Sequence, residues 1–188
     1  MVLEGMAIEM PEVEGHPNRE EFRGVLALVD VASDRPPSGS RGHRVLLTRK
    51  AAEEALPSLL GMALDYAPAL DRHDFQRKVG IITSAEIVGR ELELSGYLFA
   101  KDFPEIVSEI EKASQDVAAG PGLGMSYEVS DAQVADKNAR VWILTKVVFT
   151  GAAVLRREKA AYGSTWIEMG REHRRTRVAR RRRTDPTK

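Results

Sequence analysis

The chain has 188 residues, 43% hydrophobic and 30% charged, which suits one domain with tails and supports a packed core. It has no cysteine, which excludes disulfides, a thiol nucleophile and a cysteine-ligated metal. No run approaches the roughly 18 apolar residues of a membrane span, and the acidic start lacks the basic opening of a secretory signal.

A formal net charge of zero hides ends of opposite sign. Residues 1–21 carry six acids against Arg19, and residues 168–188 carry nine bases against Glu168, Glu172 and Asp185, including the run Arg180 to Arg183. Such blocks read as solvated tails. The expected organisation is an acidic tail over 1–21, a folded domain over 22–165 and a basic tail over 166–188.

In chain order, "FRGVLALVDVAS" (Phe22–Ser33) keeps a strand period, with Val25, Ala27, Val29 and Val31 on one side. "DRPPSGSRG" (Asp34–Gly42) is a breaker cluster and predicts a loop. "TRKAAEEALPSLLGM" predicts a helix capped by Thr48 and ended or kinked at Pro57. "LDYAPALDRHDFQRK" reads as loop. Val79–Val88 and Glu91–Ala100, joined by Gly89-Arg90, predict a hairpin. The period then changes. Phe103, Ile106, Val107, Ile110 and Ala113 share a helical face, with Asp102 as cap, Pro104 early and Gly120 at the exit. Met125 to about Val134 predicts a strand, and "ARVWILTKVVFTGAAVL" one long or two short strands. About six strands with one or two helices, and no regular βαβ alternation, predict an α+β fold: a mainly antiparallel β-barrel with packed helices.

Of the four histidines, His16 and His173 sit in the tails and His43 in the breaker loop; only His73 lies between core-like segments. A loop histidine is commonly a solvated or structural residue. No second histidine stands at ligand spacing from His73, so sequence assembles no metal site. "GPGLGMS" (Gly120–Ser126) is not a phosphate loop, because no helix start or lysine-serine pair follows. Glu128 excludes the Gly-Xaa-Ser-Xaa-Gly elbow. Its glycines either shape a turn or clear room for a substrate backbone beside Ser126. Nucleophilic catalysis needs a serine on a rigid element with an imidazole in reach; spacing permits Ser126 and His73 to meet.

"HDFQRKVGIITSAEIVGRELELSGYLFA", a helix, "GLGMSYEV" and "VWILTKVVFTGAAVL" follow one another in an order that resembles the phage capsid maturation (prohead) serine proteases, relatives of the herpesvirus assemblins. The resemblance spans about Phe22 to Leu155. It implies a herpesvirus-protease-like fold, Ser126 as nucleophile and His73 as general base. It sets Thr150 at the third position, where the family carries an acid or a second histidine. A threonine hydroxyl orients an imidazole but supplies no charge. Glu128, Asp131 and Asp74 are the alternatives. Alternation puts Glu128 on the face of Ser126, where a solvent-facing strand acid is the simpler reading. Arg156-Arg157 resemble the paired arginines of the herpesvirus branch.

The resemblance further implies a serine endopeptidase of procapsid maturation, acting in the host cytoplasm inside the assembling procapsid. Its implied substrates are scaffold, the major capsid protein and its own tails. Self-association is compatible with it, and no cofactor or membrane partner is implied. The arginine run permits contact with nucleic acid by counterion release, but in the family it resembles DNA enters the capsid after proteolysis, so the resemblance implies a protein contact. A nucleic-acid-binding module has no basic and aromatic platform in the core to support it. The alternative is a non-catalytic assembly or scaffolding module of the same fold.

Overall fold

A computed structural model of the chain describes residues 2–4, 16–115 and 122–170. Gly120, the arginine run and His173 lie outside them. The strands are β1 (Val2–Glu4), β2 (Glu20–Leu28), β3 (Arg44–Leu47), β4 (Ala63–Asp65), β5 (Lys78–Val88), β6 (Glu91–Leu98), β7 (Leu123–Val134), β8 (Val141–Arg156) and β9 (Trp166–Met169). The helices are α1 (Arg49–Ala55), continued by a 3-10 turn over Leu56–Leu59, and α2 (Pro104–Gln115).

The nine strands of the described residues join one sheet, ordered β3-β8-β4-β5-β6-β2-β9, with β1 on β5 and β7 on β8. It curls into a half-barrel. Single bridges Val29↔Leu47 and Ala32↔Leu46 carry the chain after β2 back to β3.

The expectation of a mainly antiparallel barrel holds only in part, because the sheet is mixed. Both β3 and β4 pair parallel with β8, through Arg44↔Val141 to Leu47↔Leu144 and through Leu64↔Ala152 and Asp65↔Ala153. These two strands have four and three residues, too short to show a period. The tail boundaries also shift. Trp166–Met169, assigned to the basic tail, pairs with β2, and Val2–Glu4 pairs with β5.

The predicted hairpin forms, with Gly89 at φ 59° in its turn. A bulge between Ile82 and Ser84 faces Gly96 and Ser95, the kind of irregularity that bends a strand. A Cβ at Gly96 would collide with the Ile81 carbonyl oxygen across the pair. Gly96→Ala should therefore destabilise the domain by about 3 kcal/mol or more, read as a lower urea midpoint.

Thr48 caps α1 as predicted. Its Oγ1 accepts from the Ala51 amide at 3.2 Å and donates to the Leu144 carbonyl at 3.1 Å, so one hydroxyl caps the helix and ties it to β8. Thr48→Ala should cost about 1 kcal/mol, measured by equilibrium unfolding. On α2, Ile106 and Ile110 are buried and Val107 and Ala113 pack partly against the core, as the period predicts, with Phe103, just before the helix, also packed against it. Asp102 is not the cap: it lies two residues before Pro104, and its carboxylate accepts from the Asn18 side-chain amide at 2.8 Å.

Candidate active site

Strand β7 alternates as its sequence predicts. Met125 is buried and Tyr127 packs edge-on against Phe149 toward the core, which turns Ser126 and Glu128 to the other face. Burial raises the Tyr127 phenol well above its usual range and the Tyr162 phenol to about 12, so both stay neutral. Register places Ser126 opposite Ala153 on β8, and Ala153 opposite Asp65 on β4. Directly opposed residues share a face. Ser126, the Ala153 methyl and Asp65 thus form one row, with Glu128 two residues along from the serine.

The segment between β4 and β5 folds over this face. Leu70, at φ 53°, accepts from the Arg156 amide at 2.8 Å, tying the loop to the end of β8. The Asp74 amide donates to Asp65 Oδ1 at 2.9 Å. Tyr66 Oη donates to Glu105 Oε1 at 2.8 Å and accepts from Arg77 Nη1 at 3.2 Å, bracing the loop against α2. Burial, then the Glu105 hydrogen bond, raises the Tyr66 phenol. The backbone amide of Glu105 itself, then the Tyr66 hydroxyl, lowers the Glu105 carboxyl.

This loop sets His73 between two carboxylates. Its Nδ1 lies 3.1 Å from Glu128 Oε1 and 3.8 Å from Asp65 Oδ2. The 3.1 Å approach is ionic in distance but not aligned as a hydrogen bond, so both Nδ1 and Asp65 Oδ2 are buried without one among the described residues. Asp65 is fully buried, and Lys78 Nζ stands 3.6 Å from the same Oδ2. Leaving a buried polar atom without a hydrogen bond costs about 1–3 kcal/mol, which the nearby Lys78 ammonium offsets in part.

Glu128 has room because its β8 partner is Gly151, where a Cβ would come within 3.0 Å of Oε2.

The predicted site residues divide. His73 and Ser126 belong to one face, and adjacent same-face positions along a strand are about 6.6–6.8 Å apart. No hydrogen bond joins the two side chains among the described residues. Thr150 falls in the bulge between the pairs Glu128↔Gly151 and Val129↔Phe149, where it is exposed and makes no side-chain hydrogen bond among the described residues. It is therefore not joined to His73. Of the alternatives, Asp74 shapes its own turn by accepting from the Gln76 amide, and Asp131, at φ 50°, faces Ser130. Glu128 is the alternative that reaches the imidazole.

Asp65 was missed, because "LDYAPALDRHDFQRK" carries no strand period. The available signal was an acid set among Leu64, Tyr66 and Ala67. The glycine question also resolves at Gly124: a Cβ there would come within 2.7 Å of the buried Thr165 hydroxyl, which accepts from the Met125 amide at 3.1 Å. That glycine serves internal packing. Gly122, at φ 60°, faces the Arg157 guanidinium, whose Nε is buried without a hydrogen bond among the described residues.

No protein-family model and no curated protein sequence matches the chain. Solved structures do show likeness. The bacteriophage T4 capsid assembly protease is 14% identical, covering 82% of this chain and 90% of its own, at a TM-score of 0.47. The protease of Kaposi's sarcoma-associated herpesvirus, bound to a hexapeptide phosphonate inhibitor, is 14% identical over 89% of this chain and 78% of its own, at 0.46. The same protease with an allosteric inhibitor is 14% identical over 88% and 91%, at 0.41. The chemistry of the site rests on its own residues.

Proposed function

We propose that the chain is a serine endopeptidase that cuts scaffold and capsid protein, and its own tails, inside an assembling phage procapsid. The observation that supports this reading is an imidazole held by Nδ1 against two carboxylates, over the strand face that carries Ser126. The order of motifs from His73 to Leu155 adds the peptidase class and the substrate class.

The chemistry follows from the two ring nitrogens. With Nδ1 protonated toward Glu128 and Asp65, the Nε2 lone pair is left to accept a proton. Ser126 Oγ gives its proton to Nε2 as it bonds to the peptide carbonyl carbon, forming a tetrahedral oxyanion. The two carboxylates stabilise the imidazolium, the part Thr150 was expected to fill without charge. Collapse of the intermediate breaks the C–N bond, Nε2–H protonates the leaving amine, and an acyl ester stays on Ser126. Water, deprotonated by the same nitrogen, then releases the acid and restores the serine.

The test is intact-mass spectrometry of the purified chain beside its Ser126→Ala form. Trimming, or cleavage of a scaffold substrate, should occur in the parent and stop in the variant. Equal processing by both removes Ser126 from the mechanism.

A second reading, a non-catalytic assembly module of the same fold, is favoured by one observation: Ala153, not an acid or imidazole, stands opposite Ser126 on β8. That module predicts no hydrolysis by the parent chain, with assembly unaffected by Ser126→Ala.

A further inference from the structure

We propose that Asp65, His73 and Glu128 form a binding site for a first-row divalent cation, best fitted by Zn2+, and that the bound ion withdraws His73 from proton transfer. The second half rests on the peptidase reading; the first does not.

Three observations carry the site. One ligand atom from each residue lies within 4.8 Å of the others, with His73 Nδ1 at 3.1 Å from Glu128 and 3.8 Å from Asp65. Tetrahedral Zn2+ with bonds near 2.0–2.1 Å sets its ligands about 3.3 Å apart, so closing the cluster needs only small side-chain shifts. Next, Asp65 is fully buried, and its Oδ2 and the facing His73 Nδ1 both lack a hydrogen-bond partner among the described residues. Asp65 Oδ1 is occupied by the Asp74 amide, which aims Oδ2 at the cluster. Finally, Lys78 Nζ, 3.6 Å from Oδ2, supplies the positive charge the pair of carboxylates requires, on a side chain with access to water. An ion would take its place and the ammonium would swing outward.

One imidazole and two carboxylates suit Zn2+ better than Mg2+, which prefers oxygen ligands and retains its waters. Three protein ligands leave the fourth tetrahedral position to a water. The competition follows from the tautomer. An ion takes the Nδ1 lone pair and leaves the proton on Nε2, which then cannot accept one from Ser126. The relay needs the opposite arrangement.

The experiment titrates ZnCl2 into the metal-free, full-length Ser126→Ala protein by calorimetry. One site is expected, weakened at least about tenfold in Glu128→Gln and in His73→Ala, and tightened several-fold in Lys78→Met; MgCl2 should bind far more weakly. Circular dichroism checks that each variant is folded, and Glu128→Gln, on a partly exposed strand position, guards against loss of fold. Affinity and stoichiometry unchanged in Glu128→Gln and His73→Ala would overturn the site.

With metal-free parent protein, Zn2+ should abolish hydrolysis at the concentration that fills the site. Full hydrolysis at saturation overturns the competition. A parent chain that never hydrolyses, yet keeps the Zn2+ isotherm and its loss in the variants, supports the ion site and counts against the peptidase reading alone.

Discussion

Ser126→Ala should lower peptide-bond hydrolysis by at least about 10^4-fold, the scale on which removal of a serine nucleophile acts. The fold should be unaffected for a local reason. Ser126 makes no side-chain hydrogen bond among the described residues, and its strand is held by backbone pairs to β8 from Leu123↔Arg156 onward. Alanine keeps the Cβ and the strand geometry. Activity and stability should therefore separate, with an unchanged urea midpoint beside lost cleavage of a scaffold-derived peptide. Under the proposed mechanism His73→Ala should match it, because losing either member of a serine–imidazole pair disables the pair and the losses do not add. If Ser126→Ala retained within tenfold of parental kcat/KM, the hydroxyl would not be the attacking group.

The second large effect concerns the imidazole's support. Replacing an orienting aspartate by its amide typically lowers kcat by about 10^4-fold, through the wrong tautomer and the lost charge. Here two carboxylates face Nδ1, Glu128 at 3.1 Å and Asp65 at 3.8 Å. Each single change, Glu128→Gln or Asp65→Asn, should cost about 10–100-fold, because the other acid remains. The double change should approach the full 10^4-fold, and the shortfall of the singles measures the coupling. Thr150→Ala, at an exposed bulge, should alter kcat/KM by less than about threefold. Steady-state kinetics on the four variants decides the assignment. Parental kinetics in the Glu128→Gln, Asp65→Asn double variant would show that neither acid supports His73. Asp65→Asn should stay folded, since its side-chain oxygen still accepts from the Asp74 amide and Lys78 has access to water.

Much of the architecture was legible because it depends on local pattern. The Thr48 cap, the Gly89 hairpin and the Ile106 and Ile110 face of α2 each follow from residues within a turn or two of one another. The short strands were not legible. Arg44–Leu47 is a strand because β8 runs beside it in parallel, and Ala63–Asp65 because it lies between β8, parallel, and β5, antiparallel; three or four residues hold no period. The sheet became mixed for that reason.

The site divides along the same line. By itself the sequence determined the reactive groups on offer: one histidine between core segments, a serine on an alternating strand, and Glu128 on that serine's face. Period-two geometry is a property of a single strand, so no partner was needed to read it. Only the tertiary structure decided which carboxylates meet the imidazole. Asp65 enters through the β4–β8 register and a loop folded over the sheet, two contacts between residues distant in the chain. It also set Thr150 aside, since a bulge spends one residue without a partner and so changes which β8 side chains share the face of Ser126.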